Sequence, residues 1–419
     1  MALTKLITDL IDGSLGTDWQ ATPKTASFTA VAGEGYFVNT TSAAITVTLP
    51  SSPTAGDEVS IVDYAGTAAS NNINIVSSNN INGASNDVKI NYERGGVSMV
   101  YVDATQGWIA YNAANETATA LNTTTITVDY LVVAGGGSGG GYYYSGGGGA
   151  GGLRTSYDST SGGGASAETA LTLSTDTPYT VSVGPGGAAV SAQSTAGNDG
   201  ENSTFSTITS TGGGGGGSYE ASDGSSGGSG GGGSFYTSGG TSITPPTQGF
   251  SGGNGGTVGN SNNGYGAGGG GGAGSTGGNG GFGTAGNGGD GLEVSITGSS
   301  VYYAGGGGGS TGAFHNTSTG LGGSGIGGVG GTYDPPTGRN ATAGDVNTGS
   351  GGGGGTHIGS NTGTSGAGGS GVVIIRYPSA YSISETTSGG NVLSFTTATV
   401  GSDKVTTFTA GENGTIQFS

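Results

Sequence analysis

The sequence predicts an all-β chain: an N-terminal β-module, then a glycine-rich bundle of polyglycine II helices with flanking β-strands, and almost no α-helix beyond a short N-terminal segment. Three observations carry that expectation. Residues 135–376 hold 87 of the 102 glycines, about 36% of the stretch, against a usual ~7%. Short β-prone segments lead straight into the glycine runs. Turn residues also punctuate the first part of the chain at the spacing of short strands.

Residues 1–25 read as a docking helix or arm, because Leu3, Leu6, Ile7, Leu10 and Ile11 fall on one face at i, i+3, i+4 spacing and Gly13 ends the pattern. Such a helix is too short to be stable alone. It either packs on its own domain or docks on another protein. Asp9 and Asp12 interrupt the apolar stretch a secretory leader would need, so a soluble, unprocessed chain is expected.

Residues 26–113 read as a β-sandwich-like module or a small barrel. Alternation runs through Ile45 to Leu49 and recurs at Val59 to Ile61, Ile73 to Ile75 and Val88 to Ile90, with turn signals between. Residues 114–125 are a polar linker. Residues 126–377 form the glycine-rich domain with a β base, and 378–419 a C-terminal β segment.

Three physical states compete for the glycine block. Collagen needs glycine at every third position and abundant proline; here six glycines stand together at 212–217 and the whole chain has 10 prolines. A flexible linker fits the composition, yet a linker has no reason to return to β-prone segments. Tyr130 to Ala134, Tyr179 to Val183, Phe205 to Ile208 and Val301 to Ala304 all precede glycine runs, and Val372 to Ile375 follows one. A packed bundle explains that order. Extended three-per-turn helices have no internal hydrogen bonds, and without a Cβ they approach closely enough to bond to one another. Runs of 4–12 residues at ~3.1 Å each would span roughly 12–37 Å.

The segments joining the runs are rich in Tyr, Ser, Thr and Asn. Loop tips on a rigid scaffold commonly carry binding, and this residue set gives rigid aromatic area with adaptable hydrogen bonds. The candidate ligand-binding residues are Tyr142, Tyr143, Tyr144, Tyr219, Phe235, Tyr236, Phe250, Phe314, His315 and Tyr333. The bland alternative is that these rings only close the bundle ends against water.

The stretches VDYLVVAGGGSGGG at 128–141, GGGGAGGLRT at 146–155, YTVSVGPGG at 179–187 and GGSGVVIIRYP at 368–378 together resemble the glycine-rich domain of bacteriophage tail fibres and adhesins. Residues 404–418 and 32–67 are similar to strand motifs and an N-terminal β-module of phage fibre-like proteins. The resemblance implies a virion protein that attaches to other virion proteins through its N-terminus. It implies recognition of a host cell-surface glycan or outer-membrane protein through the connecting loops. Its alternative is a capsid decoration, neck or whisker protein with a purely structural role. Fibres of this kind are often homotrimers, although a bundle that closes its own hydrogen bonds needs no second copy.

Composition excludes other classes. With 8 Lys and Arg against 26 Asp and Glu, a net charge of −18, the chain lacks the basic surface that nucleic acid requires. It has no cysteine, so no thiolate site. G-x-G-x-x-G occurs by chance at this glycine content, and residues 135–376 contain no Lys for a phosphate loop. His315 and His357 lack a neighbouring carboxylate cluster, and GNGGDGLEV at 286–294 does not recur as a calcium repeat must. The nearest carboxylate pairs, Glu220 with Asp223 and Asp199 with Glu201, sit in glycine-flanked loops with no apolar wall to raise a pKa. The expectation is therefore no enzyme, no cofactor, no metal and no catalytic residue.

Overall fold

The computed structural model describes residues 17–111, 125–175, 177–191, 195–219, 222–257, 265–312, 318–332, 339–358, 361–362, 364–386 and 392–419. The expected docking residues Leu3, Leu6, Ile7, Leu10 and Ile11 lie outside them, as does most of the 114–125 linker. The described chain is all-β, with two short 3-10 turns and no longer helix. It divides into two compact units, Met1–Thr125 and Ile126–Ser419.

The first unit contains β1 (Asp18–Lys24), β2 (Phe28–Thr29), β3 (Glu34–Val38), β4 (Ile45–Thr48), β5 (Glu58–Asp63), β6 (Ile73–Val76), β7 (Val88–Ile90), β8 (Gly96–Asp103) and β9 (Gly107–Tyr111). Two sheets, ordered β1-β3-β5-β8-β9 and β2-β4-β6-β7, enclose one core. The first six strands alternate between the sheets and pair in parallel within each. Each connection turns a corner into the opposite sheet instead of reversing as a hairpin, so the chain winds as a coil, a solenoid-like arrangement. The antiparallel strands β7, β8 and β9 finish it. Period-two alternation places Ile45, Val47, Ile73 and Ile75 inward while Thr46 and Thr48 stay half-buried.

The second unit contains β10 (Thr125–Val133), β11 (Leu153–Thr155), β12 (Leu171–Ser174), β13 (Pro178–Ser182), β14 (Ser203–Phe205), β15 (Ile208–Ser210), β16 (Leu292–Val294), β17 (Val301–Tyr303), β18 (His357–Ile358), β19 (Asn361–Thr362), β20 (Val372–Pro378), β21 (Ile383–Glu385), β22 (Ser394–Val400), β23 (Asp403–Ala410) and β24 (Gly414–Phe418). β16 with β17 and β18 with β19 form two separate hairpins, and the other strands make the β base. One sheet runs β11-β10-β20-β23-β22, with β12 also on β10, and the second runs β15-β14-β13-β24-β21. Val128, Tyr130, Val181, Phe205, Ile375, Phe408 and Phe418 fill the space between them.

β10 and β20 lie side by side, Val132 opposite Val373, and are buried on both faces. Val132 and Val373 point into the sandwich, whereas Leu131, Val133, Val372 and Ile374 join Ala150, Ala273 and Ala304 in a second apolar layer. That explains why these two strands read as continuous apolar runs. Residues 378–419 are not a separate segment. β23 pairs with β20, and β24 inserts between β13 and β21, so the C-terminus completes both sheets.

The glycine runs form a packed bundle. Along the run after β10, the amides of Gly135, Ser138 and Gly141 donate to Glu201, Asn198 and Thr195; those of Gly136 and Gly139 donate to Gly369 and Gly366; those of Gly137 and Gly140 donate to Gly149 and Gly146, all at 2.8–3.0 Å. Three neighbouring runs are addressed in rotation, every third residue returning to the same one. That is the signature of a three-residue helical repeat whose hydrogen bonds are all lateral. The next run repeats it, with Gly146, Gly149 and Gly152 bonding Gly217, Gly214 and Thr211. At the bundle surface, where a neighbouring run is missing, side-chain oxygens take over: Asp199 accepts from Gly215, Asn254 from Gly239, Asn279 from Asn254 and Asn287 from Leu321. Few main-chain donors are left to chance.

Candidate recognition surface

The run leaving β10 ends at Gly141, and the chain reverses through Tyr142, Tyr143 and Tyr144 before the next run returns to β11. Tyr219 follows the run 212–217, Phe235 and Tyr236 follow the run 229–234, and Tyr265 opens the run that carries Gly268. Lateral bonds Gly146 to Gly217, Gly217 to Gly232, Gly268 to Gly233 and Gly147 to Gly268 fix these reversals in one layer, at the end of the bundle away from the sandwich. Seven aromatic rings are thereby assembled from four places in the sequence.

The rings touch in series. Tyr142 meets Tyr143 edge-on at 4.6 Å, and Tyr143 stacks on Tyr144 at 5.5 Å. Tyr144 contacts Tyr219, Phe235 and Tyr265 at 5.9, 5.8 and 5.6 Å. Phe235 lies against Tyr236 and Tyr265. Tyr236 is the most open, 58% exposed, and the others are half-buried. Tyr142, Tyr144 and Tyr236 have φ of 71°, 44° and 61°, a left-handed conformation uncommon for aromatic residues and one that accumulates where function or a forced turn requires it. Ser145 pins the first turn: its Oγ lies 2.7, 3.0 and 3.1 Å from the carbonyls of Gly141, Tyr142 and Tyr143, and its amide donates to Ser310 Oγ at 2.8 Å.

Among the described residues no charged side chain joins this ring cluster. Burial, with the neighbouring hydroxyls of Tyr219 and Tyr265, pushes the Tyr144 phenol up, and partial desolvation with Tyr236 does the same for Tyr265. The surface therefore offers flat apolar faces edged by neutral hydroxyls that both donate and accept.

Phe250 stands elsewhere. Its amide donates to Gly272 and its carbonyl accepts from Gly230, at the sandwich end of the bundle beside Gly164. Phe314, His315 and Tyr333 lie outside the described residues. Tyr265 joins the cluster although the sequence reading does not single it out; its only signal is a lone ring beside a glycine run. Of the carboxylates weighed above, Asp199 and Asp223 each accept a main-chain amide, from Gly215 and Ser238. Glu201 borders a shallow cleft of about 440 Å³ with Glu412, and Glu220 is outside the described residues. Among the described residues no group of three His, Cys, Asp or Glu could hold a metal ion.

A β-sandwich whose strands feed a laterally bonded glycine bundle, with rings gathered at the far end, defines a class of all-β scaffold that presents turns on a rigid block. The chain belongs to the glycine-rich domain family, which matches residues 112–378. The match ends at the last residue of β20, so β21 to β24 lie beyond it. No curated protein matches the sequence.

Proposed function

We propose that the chain is a bacteriophage virion protein, a tail fibre or receptor-binding adhesin, that grips a host cell-surface glycan with the aromatic end of its bundle. The observation that carries this reading is the convergence of Tyr142, Tyr143, Tyr144, Tyr219, Phe235, Tyr236 and Tyr265 at one end of a rigid block. Sugar rings stack on aromatic faces, and their hydroxyls match neutral phenols. A pre-ordered platform loses little entropy on binding. The N-terminal residues would tie the protein to other virion proteins, and the protein would bind without turnover.

The test is binding of the purified chain to host-envelope polysaccharide, compared with Tyr144→Ala and Tyr219→Ala variants whose melting is monitored alongside. Loss of binding in folded variants, with unshortened polysaccharide, supports the proposal. Binding to protease-treated cells that persists in both variants overturns it. Capture of a purified outer-membrane protein in place of glycan overturns the ligand class, and an internal position on the particle favours the decoration role.

A further inference from the structure

The sheet edges in this molecule are not treated alike. β1 carries Pro23, Lys24 and a register shift. β2, β7, β11, β15 and β21 are two or three residues long, and β12 four. The outer side of β9 is covered: Trp108 exchanges main-chain bonds with Asn80 and Asn82, and the Ala110 amide donates to Asn82. These are the devices by which proteins blunt free edges. β22 has few of them. It runs seven residues, SFTTATV, without charge or proline, and is bulged only at its Ser394 end. Thr396, Thr397, Ala398 and Thr399 are exposed. β23 pairs with its inner side, and among the described residues no strand pairs with its outer side.

We propose that β22 pairs antiparallel with β22 of a second copy of this chain, about a two-fold axis at Thr397. In that register Thr397 faces its own copy and Thr396 faces Ala398, giving small and β-branched cross-strand pairs. The seam contains no charge, which matters for copies that each carry −18 and would otherwise repel. The acids flanking the strand are engaged: Asp403 at the hairpin turn is bound by Arg376 Nε at 2.8 Å, and Glu385 Oε1 accepts the Leu393 amide at 2.9 Å. Self-pairing of one edge closes at two copies. Pairing of β22 with a different edge would leave β22 of the last copy open and propagate. The two six-stranded sheets become one continuous sheet with the β22 pair at its centre.

The full chain should show a mass near twice 39.5 kDa by light scattering at micromolar concentration. Thr396→Lys with Ala398→Lys sets lysine opposite lysine and should halve that mass while the chain still unfolds cooperatively, its melting temperature lowered and no longer dependent on protein concentration. Because the chain has no cysteine, single variants Thr396→Cys, Thr397→Cys and Ala398→Cys give a second readout that adds no charge; Thr397→Cys gives up the 2.8 Å bond to Thr406 Oγ1, so its melting is monitored alongside. Under mild oxidation Thr397→Cys should cross-link to its own copy fastest. A monomer with no cross-linking, a dimer that survives the lysine pair, or a trimer each overturns the proposal.

Discussion

A methyl group placed on Gly148 would stand 2.0 Å from the carbonyl oxygen of Gly137. The two residues sit on adjacent runs, and Gly148 is simultaneously bonded to Gly352 through its amide and to Gly307 through its carbonyl. Neither backbone can retreat without breaking bonds to a third. Gly148→Ala should therefore cost ~3 kcal/mol or more, at the upper end of overpacking effects. At Gly256 the nearest atom to an added methyl is 3.1 Å away, and alanine there also restricts the unfolded chain, a gain of ~0.4–1 kcal/mol. Gly256→Ala should be close to neutral. Denaturant midpoints of the two variants against the parent check the contrast.

Amide exchange should follow the same geometry. Amides of Gly137, Gly148, Gly149, Gly307 and Gly352 are enclosed by neighbouring runs on all sides and should exchange only with opening of the whole bundle. Amides on the surface runs, such as Gly239 and Leu321, are held by a single exposed side-chain oxygen and should exchange faster. Exchange in the interior runs as fast as in an unfolded peptide would show that the lateral bonding does not persist in solution.

Much of this was legible in the residues, and the rest was hidden for identifiable reasons. Leu131 to Val133 and Val372 to Ile375 announce themselves as strands, and the glycine runs announce a bundle, because both signals are local. The pairing of β24 with β13 joins residues more than two hundred positions apart, and alternation in Gly414 to Phe418 does not say where that strand goes. The parallel coil of the first unit is invisible for a related reason: period-two alternation is the same whether a connection reverses or turns a corner. Phe250 has the same flavour as Phe235, yet they sit at opposite ends of the bundle. Which end a turn occupies depends on how many reversals precede it, a fact that no single segment contains.

Alkaline pH should weaken the second unit in a defined window. Burial pushes the Tyr303 phenol from 10.0 up to about 12. The folded state then holds its proton where the unfolded chain has lost it, so this contribution is complete below pH ~10, falls as pH rises from ~10 to ~12, and is gone above. The loss is about 3 kcal/mol, from two pKa units at roughly 1.4 kcal/mol each. Tyr303→Phe should flatten that part of the profile, read as the denaturation midpoint against pH.

The side-chain caps make the last prediction. Asn279 Oδ1 accepts the Asn254 amide at 2.8 Å, and Asn254 Oδ1 accepts the Gly239 amide at 3.0 Å, so two amides on successive runs are satisfied by carboxamides in place of the main-chain carbonyls of a further run. This is the logic of a helix N-cap, where replacing the capping residue by alanine costs ~0.5–2 kcal/mol. Asn279→Ala should fall toward the low end, since the freed amide faces water, and Asn279→Asp should be nearly neutral because it keeps the acceptor oxygen. The caps also occupy the ground on which another extended chain would bond. Alanine at both positions should raise exchange at Asn254 and Gly239, lower the melting temperature slightly and promote concentration-dependent association. If the double variant stays as well protected as the parent, water satisfies these amides equally well and the carboxamides do not close the bundle.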